Sequence, residues 1–170
     1  QLLFRKGSNR YAAFWLGSFM VIQAFLNGMF LLVETGLIID FWFIYRYPAP
    51  LNYIVPPIVF LYLRSMLEND DSPRFWDWLH AIPFFAVSVN YIPYLFLSTE
   101  EKKEIIRGVV EDYTTYVQGQ DGIVPEEFAI GFRIVLTLSY IPAFFRVLVK
   151  NEHKFDRSVL YDNNLIRWLK

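Results

Sequence analysis

YAAFWLGSFMVIQAFLNGMFLLV, residues Tyr11 to Val33, is a run of 23 residues without one charged side chain, and only Gln23 and Asn27 within it are strongly polar. A helix needs about 20 mostly apolar residues to cross about 30 Å of hydrocarbon, so this stretch is long enough to span a bilayer. Three further windows share its character. Trp78 to Thr99 carries no charge if His80 is neutral, and Phe128 to Val149 is interrupted only by Arg133 and Arg146. Tyr47 to Leu63 is uncharged but holds Pro48, Pro50, Pro56 and Pro57. Proline lacks a backbone donor and is best tolerated in a helix's first turn, so this helix either starts at Pro56 and runs past Arg64 or is kinked.

Composition points the same way. Of 170 residues, 55% are hydrophobic, 19% aromatic and only 19% charged, against about 25% charged in soluble domains; the mean hydropathy is +0.28. Four such windows leave too little polar chain to enclose them in a soluble fold. The expected fold class is all-α, a polytopic integral membrane helical bundle of about four transmembrane helices plus an amphipathic surface helix. The spans fall near 11–33, 48–67, 78–98 and 128–149, within a single membrane domain whose outer loop is 99–127 and whose tail is 150–170. The chain opens on Gln1 and is read as a piece of a longer protein. A formal charge of −1 offers no basic surface for nucleic acid, and the absence of Cys removes disulfide frameworks, thiolate zinc sites and cysteine nucleophiles.

Positive residues accumulate on the cytoplasmic side of membrane proteins. With the N-terminus inside, eleven bases lie inside (Arg5, Lys6, Arg10, Arg64, Arg74, Arg146, Lys150, Lys154, Arg157, Arg167, Lys170) and four outside (Arg46, Lys102, Lys103, Arg107). Both ends are therefore expected in the cytoplasm, with multi-pass placement in the membrane. Trp15, Trp42, Trp76 and Trp78 fall near window ends, where indole favours the headgroup level. Leu37 to Tyr45 is apolar around Asp40 and too short to span, so it reads as an interfacial or re-entrant piece. Ser98 to Glu127 holds eight acids against three bases. Ser98-Thr-Glu-Glu101 fits a capping box, and Ile105, Val109, Tyr113 and Tyr116 recur at helical spacing, which predicts the surface helix. Gly119-Gln-Asp-Gly122 should break it, and Pro125 with Glu126 and Glu127 should start the next helix.

Chemistry-bearing motifs are few. His80 and His153 are the only histidines and lie on different segments, and no Gly-rich phosphate loop or nucleophile elbow occurs. No catalytic residue, metal site or cofactor is expected. Asp70-Asp71 reads as a solvated turn. Arg133 is a polar site inside a span, either an interface anchor pairing with Glu126 or Glu127 or a functional charge. His80 is either a hydrogen-bonded interfacial group or a pH-responsive one. Glu34 and Asp40 either bound a span or line an outward-facing pocket.

Tyr53-Ile-Val-Pro-Pro-Ile-Val-Phe-Leu-Tyr-Leu-Arg-Ser-Met-Leu67, followed after a polar gap by Asp77-Trp-Leu-His-Ala-Ile-Pro-Phe-Phe85, resembles the membrane-embedded N-terminal region of AraC-type transcriptional regulators common in Bacteroidetes. The matching positions are Pro57, Tyr62, Arg64, Ser65, Leu79, His80 and Pro83. Arg5 to Arg10 and Leu165 to Leu169 resemble the family's basic turn and the lead into a later helix. The family's helix-turn-helix output domain is absent from these residues. The resemblance implies a sensor, or signal-input module, in a bacterial inner membrane, relaying an outer-face or membrane stimulus to a cytoplasmic DNA-binding domain. Its partners would be the lipid bilayer and a second copy of the chain in a homodimer, with no direct nucleic-acid binding by this segment and a ligand the sequence does not name. The alternative is a helical subunit of a transporter or larger membrane complex without a signalling role. An intramembrane enzyme would need converging polar residues, and Gln23, Asn27, Asn90 and Arg133 are scattered in sequence.

Overall fold

In the computed structural model, residues 10–68 and 74–151 are described, and among them there is helix and no strand. The charge-free opening window forms one uninterrupted helix, α1 (Arg10–Glu34). It stops where Thr35 Oγ1 donates to the Leu31 carbonyl at 2.7 Å and Gly36 turns left-handed at φ 72°, a conformation that costs glycine nothing. Three short 3₁₀ helices follow, Leu37–Ile39, Trp42–Ile44 and Ala49–Tyr53. Helix α2 (Val55–Glu68) then opens on Pro56 and Pro57, in the first turn where the missing N–H groups have no intrahelical partner to lose. The start-at-proline alternative is thus the one adopted.

The Trp78 window is segmented. A 3₁₀ helix Phe75–Ala81 leads into α3 (Ile82–Asn90) and then α4 (Ile92–Leu95). Pro93 has no N–H to donate to the Val89 carbonyl, which accounts for the break at Tyr91. Helix α5 (Thr99–Glu111) carries the expected capping box, with Glu101 N–H donating to Ser98 Oγ and Ser98 N–H to Glu101 Oε2; the Ser98 hydroxyl and N–H, both donating to Glu101 Oε2, hold that carboxyl below its usual range. The helix ends earlier than its sequence spacing predicts. Asp112 accepts from the Thr114 N–H and hydroxyl and so starts a separate turn, α6 (Thr114–Val117). Tyr113 and Tyr116 therefore lie beyond α5, although Tyr116 still packs against the core cluster that Ile105 and Val109 join. Pro125 and the acids Glu126 and Glu127 begin α7 (Glu126–Lys150), which has Pro142 in its interior.

Helix α1 packs on α2, α2 on α7, α3 on the 49–53 turn, and α5 on the 37–44 turns. The main core lies at one end, where Met29, Ile38, Tyr45, Tyr94, Ile106 and Val109 meet. Among the described residues two helices, α1 and α7, are long and apolar enough to cross a membrane. Their apolar windows are only 6% and 11% buried, so they present apolar side chains outward rather than into a protein interior. The other two expected spans differ: α2 has 14 residues, and the Trp78 window is a chain of three shorter helices.

Candidate functional site

The turn after α1 buries a guanidinium. Arg46, 3% exposed, donates from Nε and a terminal nitrogen to both oxygens of Asp121 at 2.6 and 2.7 Å, and from Nη1 to Glu126 at 3.3 Å. The rings of Tyr45, Tyr91 and Tyr116 surround it with centroids 5.1, 5.3 and 4.8 Å from its Cζ, in the range where a cation is attracted to an aromatic face. Tyr91 donates to Glu126 at 2.8 Å. Burial pushes the Tyr45 and Tyr116 phenols up, with Arg46 opposing, so both stay neutral. Asn90 completes the closure: its Oδ1 accepts from the Val124 N–H at 2.7 Å, and its carbonyl accepts from the Ile123 N–H at 2.9 Å. The 113–125 segment is thereby clamped across the end of the helices.

Beneath that clamp lies a cavity of about 400 Å³, bordered by Leu26, Met29, Phe30 and Val33 of α1, by Tyr45, Arg46, Pro48, Ala49 and Asn52, by Val109, Tyr113, Tyr116 and Val117, and by Ile130 and Arg133 of α7. A second space of about 400 Å³ shares Asn52 and Arg133 and adds Gln23 and Thr137. Polar residues scattered in sequence thus converge: Gln23 and Arg133 line one space. Arg133 does not make the expected pairing with Glu126 or Glu127. Glu126 is taken by Arg46 and Tyr91, Glu127 is exposed, and the Arg133 guanidinium has no salt bridge or hydrogen bond among the described residues. Asn27 and Asn90 line neither space, nor do Glu34 and Asp40. Around the second space the groups are amides, a guanidinium and a hydroxyl, a donor-rich set without an acid or base.

The opposite end gathers several residues of the sequence motif. Arg64 and Asp77 form a two-pronged pair at 2.7 and 2.6 Å, both buried. Asp77 also accepts from the Arg74 N–H at 2.9 Å. Burial alone would raise the Asp77 carboxyl, but these bonds outweigh it and hold it below the usual range. His80 Nδ1 lies 2.6 Å from the Tyr140 hydroxyl of α7, and Phe60 packs its ring against both. Pro57, Asp77 and His80 line a smaller cavity of about 140 Å³. Ser65 is fully buried on α2, whereas Tyr62 and Pro83 line no part of that cavity. Lys150, at the end of α7, reaches Glu68 of α2 at 2.7 Å, and Arg74 reaches it at 2.8 Å.

Among the described residues no group of three or more His, Asp or Glu is placed to hold a metal ion. The Asp70-Asp71 pair, the basic run before Arg10 and the Glu152 to Lys170 tail with His153 lie outside the described residues. Sequence reading missed Arg46, Asn52 and Asp121 as site residues. Asp121 sits in a Gly-Gln-Asp-Gly turn that looks solvated, and Arg46 reads as a boundary charge. Only their opposite signs on one side of the predicted bilayer hinted at a pair. Compared with family models, with curated proteins and with solved structures, the chain matches none.

Proposed function

We propose that the chain is a membrane-embedded signal-input module in which α7 carries the state of the cavity to the opposite end of the bundle. The observation that carries this reading is the placement of three contacts on one continuous helix. Arg133 lines the cavity, Tyr140 meets His80 about 10 Å further along, and Lys150 holds Glu68 about 15 Å beyond that, by 1.5 Å per residue. In this reading α2 and the segmented Phe75–Leu95 run complete a four-crossing bundle with α1 and α7. Arg46, Asp121 and the cavity face outward, and both chain ends lie in the cytoplasm of a bacterium, multi-pass in its inner membrane. The resemblance of Pro57, Arg64, Ser65 and His80 to the AraC-type input region names the output as a cytoplasmic DNA-binding domain. A stimulus can bias such a relay only through different affinities for two packings of α7.

The test uses the chain in its native reading frame in its own cells, comparing wild type with Tyr140→Phe and His80→Phe. Changed transcript levels at unchanged membrane abundance are expected. Unchanged transcripts, together with loss of a larger complex on native gels, would instead identify a structural subunit of a membrane assembly.

A further inference from the structure

We propose that the cavity between α1, the 45–52 turn, α6 and α7 binds an anionic amphiphile, its carboxylate or phosphate held by Arg133 and its apolar tail lying against Leu26, Phe30 and Ile130. This rests on the reading of the cavity as the input site and names the class of ligand it takes. About 400 Å³ falls within the size of small-molecule pockets. The lining is mainly aliphatic and aromatic, and besides the tyrosines its polar side chains are Arg46, paired with acids, and Asn52 and Arg133, which is the layout of a head-and-tail ligand. Phe30 and Tyr113 are exposed at the rim, so a tail can enter sideways.

The charges choose the sign of the head. Arg46 is satisfied by Asp121 and Glu126, which removes the two nearby buried acids as partners for Arg133. A guanidinium within an apolar helix without a counter-ion is costly, and residues of this kind face binding sites or one another. A cationic head would meet Arg133 directly, and a wholly apolar ligand would leave the Arg133 charge unmet.

The experiment places the full chain in phosphatidylcholine nanodiscs and photolabels it with diazirine-bearing decanoate or the matching decanol. Decanoate is expected to label α1 and α7 near Phe30 and Ile130 with about tenfold tighter half-saturation than decanol. Arg133→Gln should erase that difference, and Arg133→Lys should keep part of it. Leu26→Trp, which fills the cavity and leaves the charge, should abolish labelling at these positions and serves if Arg133→Gln fails to fold. Phosphatidylglycerol in the disc displaces decanoate if the natural head is a lipid's, and leaves it in place if the ligand is a free amphiphile. Equal labelling by the two probes, or a decanoate preference unchanged in Arg133→Gln, overturns the proposal. Binding here and transcript changes in cells are separate readouts, so the ligand assignment and the relay fail independently.

Discussion

Burying an arginine strips its charge of water, and Arg46 and Arg64 each compensate with a two-pronged pair, side-on through Nε and Nη2 for Arg46 and end-on through Nη1 and Nη2 for Arg64. Each presents a planar fork to both oxygens of one aspartate, the arrangement that lysine cannot reproduce. Removing one partner leaves the other charge buried and alone. Arg64→Met is therefore expected to lower unfolding free energy in nanodiscs by about 3–5 kcal/mol, while Arg64→Met with Asp77→Leu recovers most of the loss. A denaturant titration of the four-member cycle checks this; additive losses would mean the pair is not a unit. The acid side has a defined sign. Because the folded Asp77 carboxyl is depressed below its ordinary 3.8, its stabilisation is present above that value and disappears as pH falls through the folded one. Wild type should lose stability more steeply than Asp77→Asn below about pH 4.

At the level of elements, the 113–125 segment is held by backbone closeness as much as by charge. A Cβ on Gly122 would stand 2.7 Å from Asn90 Nδ2 and 3.0 Å from the Asn90 carbonyl, so Gly122→Ala must push the segment off α3. Amide exchange within 113–125 is expected to speed up by more than tenfold in that variant while α1 and α7 are unchanged; an unaltered exchange map would show that the clamp tolerates displacement. Helix α1, helix α7 and the Ser98–Glu101 cap were legible because their signals are local: an uncharged run, or two residues three apart. The early stop of α5 was not, since Asp112 capturing the Thr114 N–H competes with helical continuation through a side chain that spacing rules ignore. Nor was the Arg46–Asp121 pair, whose partners are 75 residues apart and meet only once α5 and α6 fold back over the 37–54 turns. Gln23 and Arg133 converge for the same reason, since α1 and α7 both pack on α2 and the two side chains meet at one space with Asn52.

For the molecule as a whole, orientation is the first quantity to measure, and a chain with no cysteine simplifies it. In intact cells an impermeant maleimide is expected to modify Gln118→Cys and to spare Phe75→Cys until the membrane is opened. The reverse pattern would invert the bundle and turn the Arg133 cavity toward the cytoplasm. The unequal helices add a mechanical consequence. At 1.5 Å per residue, the 25-residue α1 and α7 run to about 37 Å, whereas the 14-residue α2 between them reaches about 21 Å. In the proposed four-crossing bundle, no one hydrocarbon thickness suits all three. A thin bilayer forces the long pair to lean, a thick one is drawn inward around the short helix, and either strain falls on the seams α2 makes with its neighbours. The unfolding midpoint should pass through a maximum as lipid acyl chains are lengthened, and shortening α1 by one turn should move that maximum toward thinner membranes.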